Sequence, residues 1–88
     1  MASPKYMTSG LMWRFSNAMT TDLRVVVQGV IWHGATAVAS NSLYDGFGNV
    51  IFKGIGTTDK LAFSRPRAFN GLSVPTLTAG QYFDVYIV

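Results

Sequence analysis

The chain is 88 residues long, 49% apolar and 14% aromatic, and only 12% of it is charged, against about 25% in an ordinary soluble domain. One domain fits that length, and neither a disulfide framework nor a His/Cys zinc site can brace it, because cysteine is absent and His33 is the single histidine. The net charge of +3 comes from seven scattered Lys and Arg over four Asp and no Glu, which excludes the dense basic stripe of a typical nucleic-acid binder.

A domain of this size hides only about 60–65% of the surface its unfolded chain exposes. Apolar groups beyond the capacity of a small core call for burial against copies of the chain or a larger assembly. No signal peptide is expected, since no apolar run of the needed length follows residues 1–5, and no segment is long enough to span a membrane.

Taken in order, residues 1–9 read as an extended N-terminal arm, with Tyr6 and Met7 as candidate anchors on a neighbour. Residues 10–88 read as a single domain. Its first segment admits two periodicities. Leu11, Met12, Phe15, Ala18 and Met19 fit a helix with Ser9 as N-cap, whereas Leu11, Trp13 and Phe15 fit a strand with Arg14 facing out. The strand is favoured, because Trp and Phe suit it and the remaining chain reads as β.

Residues 23–33 form the clearest strand, rich in β-branched side chains (Val25, Val26, Val27, Val30, Ile31), with Gly29 marking a bulge or a close approach. A strand over 41–44 ends in Asp45-Gly46-Phe47-Gly48-Asn49, strong turn chemistry, and 49–53 is its hairpin partner. Residues 54–58 turn into a strand over 60–64, Pro66 marks an edge or crossover, and Asn70-Gly71 opens a strand through Leu72, Val74 and Thr76. Ala79-Gly80 turns into the last strand, 81–88. There Phe83, Val85 and Ile87 point to the core, and Tyr82, Asp84, Tyr86 and Val88 to the other face. That second face either covers the sheet or meets a partner, since tyrosine is enriched at interfaces.

The fold expected is all-β, a small antiparallel, jelly-roll-like β-sandwich of six to seven strands. Its core is expected to hold Val25, Val27, Ile31, Leu43, Phe63, Leu72, Val74, Phe83, Val85 and Ile87.

Catalytic chemistry is thinly supplied. Acid–base work needs a titratable pair, and the candidates are His33 with Asp22, Asp45, Asp59 and Asp84. Turn positions account for Asp22, Asp45 and Asp59, and a structural or solvent-facing role for His33. No Gly-x-Ser-x-Gly elbow is present. The segment 45–49 only weakly imitates a calcium loop. Gly46-Phe47-Gly48 and Gly54-Ile55-Gly56 are better explained as hairpin turns than as phosphate cradles, because no helix N-terminus follows them. No cofactor or metal is expected, and no enzymatic activity. An OB-like nucleic-acid-binding domain is the runner-up, with Trp13, Trp32, Tyr44 or Phe47 stacking bases and Arg14, Arg24, Arg65 and Arg67 on phosphates.

From Val25 onward the order of elements resembles small structural proteins of tailed bacteriophages, among them capsid decoration (cement) proteins. The resemblance rests on Ser42-Leu43-Tyr44-Asp45-Gly46, Val50-Ile51-Phe52, the run 61–69 with its Arg65-Pro66-Arg67, Asn70-Gly71-Leu72-Ser73-Val74, and the ending Val85-Tyr86-Ile87-Val88. It covers about two-thirds of the chain, and the Trp13-Arg14-Phe15 and Trp32-His33 segments depart from the pattern. It implies a β-sandwich in a virion, on the capsid surface or else in the neck or tail. The partners implied are the major capsid protein or other virion proteins, with a homotrimer as the natural oligomer. The interface residues expected are Tyr6, Met7, Trp13, Arg65, Arg67, Tyr82, Tyr86 and Val88.

Overall fold

The structure, a computed structural model, describes the backbone of residues 5–6 and all of residues 12–88. Among the described residues seven strands follow one another without a helix: β1 (Lys5–Tyr6), β2 (Met12–Phe15), β3 (Met19–His33), β4 (Ser40–Asp45), β5 (Val50–Ile55), β6 (Thr58–Val74) and β7 (Tyr82–Ile87). They form one antiparallel sheet in the order β1-β2-β7-β3-β6-β4-β5. The all-β expectation is therefore met, and the two layers of the sandwich are one curled sheet.

Two long strands produce the curl. β3 pairs with β6 from Met19↔Val74 to His33↔Thr58, with register shifts between Thr21 and Arg24 and between Val27 and Gly29. Each bulge adds local bend and twist. Gly29 is needed at the second, because a Cβ there would stand 2.8 Å from the Leu61 carbonyl oxygen. β4 attaches to β6 through Tyr44↔Ser73 and Asp45↔Leu72. The β4–β5 hairpin then lies over β3 and β7: Trp32 Nε1 donates to the Gly56 carbonyl oxygen at 2.9 Å, and the Phe52 ring meets Phe83 edge-on at 6.3 Å.

Between the layers sit Phe15, Val27, Val30, Trp32, Leu43, Leu72, Val74, Phe83 and Val85, each almost wholly buried. Of the expected core, Ile31 and Phe63 are only half-buried. The Gly29 bulge is the reason for Ile31. Side chains alternate in a strand, so one extra residue moves everything after it to the opposite face. Val25 and Val27 face in before the bulge, and Val30 and Trp32 face in after it, which turns Ile31 outward beside Asp84 and Lys60. Phe63 lies where β6 bows away from β3, since 63–66 intervene on β6 between residues paired with Val27 and Gly29.

Other expectations need correction. Residues 60–64 and 70–76 are not separate strands but parts of the continuous β6, with Pro66 in its bowed segment, where no ladder N–H is required. Gly71, with φ of +92°, lies inside β6 instead of opening a strand. Asp22 and Asp59 lie within β3 and β6, not in the turns before them. The first segment is a strand: Trp13 and Phe15 are buried, and Arg14 projects from the other face. Of the arm expected over 1–9, Lys5 and Tyr6 pair with Arg14 and Trp13 of the same chain. Met7 and the Tyr6 side chain lie outside the described residues.

Candidate interaction surface

On the outer face of β2, β7 and β3 a charged and aromatic cluster closes over a buried carboxylate. Register places Arg14, Asp84 and Ile31 in one cross-strand row and Tyr82 and His33 in the next. Arg14 Nε donates to Asp84 Oδ1 at 2.7 Å and Arg14 Nη2 to Oδ2 at 3.0 Å, a bidentate pair. The Arg14 guanidinium also lies 4.2 Å over the Tyr82 ring, and His33 stacks on Tyr82 at 4.4 Å. Asp84 is only 3% exposed although it was expected on the open face; Arg14 and His33 lean across it. The carboxylate in turn raises the Arg14 pKa above its ordinary value, chiefly through the hydrogen bond.

His33 Nε2 stands 3.7 Å from Asp84 Oδ2, beyond hydrogen-bonding range. Asp84 is already held by Arg14, and among the described residues no hydroxyl hydrogen-bonds to His33. The cluster therefore ties three strands together without a nucleophile–base–orienter chain. Tyr86 and Val88, on the same side of β7, are 38% and 60% exposed.

A second feature is the β4–β5 turn. Asp45 Oδ1 accepts the backbone N–H groups of Phe47 and Asn49, both at 2.9 Å, and Oδ2 accepts Asn49 Nδ2 at 3.3 Å. These donors, the Asn49 backbone first, hold the Asp45 carboxyl below its usual range. Gly48 adopts φ of +85°, a conformation that favours glycine. These hydrogen bonds brace the turn, and it presents Phe47 with 76% of its surface exposed. Beside it lies a shallow groove of about 350 Å³ lined by Thr20, Tyr44, Asp45, Gly46, Ser73 and Pro75. Val38, Val50 and Ile55 on the same hairpin and its entry are also exposed.

The remaining candidates separate. Arg65 is exposed on the bowed part of β6 and Arg67 is exposed at its end, where pairing with β3 resumes. Trp13, expected at an interface, is a core residue at 5% exposed. Trp32 is fully buried beside Phe83, so neither tryptophan is a stacking platform for bases, and Arg14 is committed to Asp84. Phe47 is an exposed aromatic that the interface expectation left out. Its signal was its place between two glycines at a turn apex, where no strand neighbour can cover it.

No family model, no curated protein and no solved structure matches the chain.

Proposed function

We propose that this protein is a non-enzymatic structural protein of a virion, a capsid decoration (cement) protein that clamps the head shell through protein–protein contacts. The observation that carries the reading is Phe47, a large apolar side chain held out at a turn that Asp45 has locked. An exposed aromatic on a mobile loop would lose entropy on docking; on a fixed turn that loss is already met, which favours tight association. Leu23, Val38, Val50, Ile55 and Val88 add exposed apolar area of the sort that marks interaction surfaces when contiguous. The resemblance of the segments after Val25 to phage decoration proteins supplies the virion context.

The mechanism is mass action. A protein that binds the assembled lattice and not its dissociated subunits stabilises the lattice by about 4 kcal/mol per site at a thousandfold excess over Kd. A homotrimer suits the role, because closed threefold symmetry matches the local threefold positions of a shell. The test is to incubate purified protein with shells that lack it, then measure occupancy and the temperature at which the shells disrupt. Occupancy with a rise in that temperature, both reduced at least tenfold in apparent affinity by Phe47→Ser, is the expected result. Absence of the chain from purified virions overturns the reading.

A further inference from the structure

At the end of the bow in β6 stands an arginine whose surroundings differ from those of the other cations among the described residues. Arg67 lies 5.5 Å over the Phe63 ring and 5.7 Å over the Phe69 ring. The two rings are 6.1 Å apart and inclined at 42°, so the guanidinium rests in the notch between them. Both distances are within the range of a cation–π contact. Phe63 and Phe69 are half-buried and pack against the core, which makes them a firm seat. The backbone beneath is fixed as well, because Arg67 pairs with Val27, and Val27 pairs with Ile87.

Among the described residues no side chain or carbonyl accepts an Arg67 side-chain N–H, so the guanidinium keeps its donors for other work. Five donors in a planar fork match a carboxylate bidentately, and a pre-positioned fork loses little freedom on binding. Among the described residues no carboxylate meets Arg67 or Arg65. Asp84 is taken by Arg14, Asp45 by its own turn, Asp59 accepts the N–H groups of Ile55 and Lys60, and the exposed Asp22 forms no ion pair with either arginine. Arg65 stands two residues away, on the far side of Pro66, and is exposed.

We propose that Arg67, seated between Phe63 and Phe69 and assisted by Arg65, is a docking point for a carboxylate-bearing, acidic patch on a partner protein. The inference rests on the reading of this chain as a protein-binding module and names the chemistry of one contact. A phosphate backbone is the poorer occupant. Duplex DNA presents one charge per about 1.7 Å and is met by many cations along a stripe, whereas this patch offers two arginines. Single strands are held by aromatic faces open to bases, and here those rings are packed against the core and covered by Arg67.

The test uses two fluorescent probes, poly-L-glutamate and a DNA duplex of similar length, titrated with the whole protein at about 0.15 M salt and followed by anisotropy. Poly-L-glutamate should bind. Arg67→Ala should weaken it at least tenfold, Arg67→Lys severalfold because the charge survives without the planar fork, and Arg65→Ala by a smaller factor. Unchanged circular dichroism and melting of the variants separate lost docking from lost fold. Failure of poly-L-glutamate to bind, indifference to Arg67→Ala, or tighter Arg67-dependent binding of the duplex would each overturn the proposal. Shell occupancy is scored separately: wild-type protein that binds poly-L-glutamate through Arg67 but is absent from virions removes the cement reading alone, and occupancy without that dependence removes this one alone.

Discussion

Asp84 and Arg14, seventy positions apart in sequence, form a two-pronged ion pair at 2.7 and 3.0 Å on the outer face of the sheet. The Asp84 side chain is buried while the Arg14 side chain is 37% exposed. Removing the cation alone therefore strands a charge that water reaches poorly, which is the expensive way to break such a pair. Arg14→Ala should destabilise the fold by about 2 kcal/mol, less than breaking a fully buried pair costs, because Arg14 is partly solvated. Adding Asp84→Asn should restore part of the loss. Urea midpoints for the two single variants and the double variant measure it, and strict additivity would show that the pair is not coupled.

The Asp45 turn should respond to acid. Its carboxyl titrates below the usual value of 3.8 because the Asn49 and Phe47 N–H groups bind the ionised form. A carboxyl with a depressed folded-state pKa contributes stability that is complete above the unfolded value and is lost as pH falls through the folded one. The Asn49 and Phe47 amide resonances should therefore hold constant at neutral pH and move together only below the ordinary carboxylate range. Asp45→Ala should abolish that movement and lower affinity for shells through loss of Phe47 presentation.

Two glycines on the β4–β5 hairpin should fail for different reasons. A Cβ at Gly54 would stand 2.2 Å from Trp32 Cγ, and Trp32 is fully buried and hydrogen-bonded. Gly54→Ala should cost about 3 kcal/mol through overpacking and alter Trp32 fluorescence. Gly48 has open space around it and φ of +85°, so Gly48→Ala should cost only the left-handed backbone conformation, about 1 kcal/mol. Thermal melts rank the two.

His33→Ala should leave shell binding intact and change stability by less than about 1 kcal/mol, because His33 is partly exposed and contributes a ring stack in place of a hydrogen bond. Loss of a biological activity with fold and assembly preserved would argue for chemistry at His33 after all.

The isolated protein should sediment as a homotrimer, with Val88 and Tyr86 protected from solvent relative to a single chain. A monomer persisting at high concentration removes the trimer, and with it the threefold part of the clamp model.

Strands were legible wherever the pattern was local. The β-branched run in β3, the Asp-Gly-Phe-Gly-Asn turn and the apolar alternation Phe83, Val85, Ile87 each announce themselves within a few residues. What the chain hides is produced by bulges and by distance. Ile31 was expected inside because alternation counted from Val25 takes no account of the extra residue before Gly29. β6 read as two strands because Pro66 suggests an interruption, and pairing with β3 on both sides of the bow is invisible locally. Asp84 looked solvent-facing because nothing in its neighbourhood announces Arg14. Of the residues expected at an interface, Arg65, Arg67, Tyr86 and Val88 are exposed and Tyr82 is half-buried, whereas Trp13 belongs to the core. An aromatic in a strand gives the same local signal whether it faces in or out.

β7 has a consequence for how the molecule comes into being. It lies between β2 and β3, near the middle of the sheet, although it comes after the other six described strands in chain order. Until synthesis has run past Ile87, β2 has no partner for residues 12–15 beyond the short β1, and the inner face of β3 lacks Phe83 and Val85. Completion of the core thus waits for pairing between β2 and β7, more than sixty-five positions apart in the chain, and topologies with such non-local pairing fold in milliseconds to seconds and not in microseconds. A nascent chain halted before position 82 is an unpaired, apolar sheet edge waiting for a strand, and any cell producing this protein in quantity has to shelter that edge or finish the chain quickly.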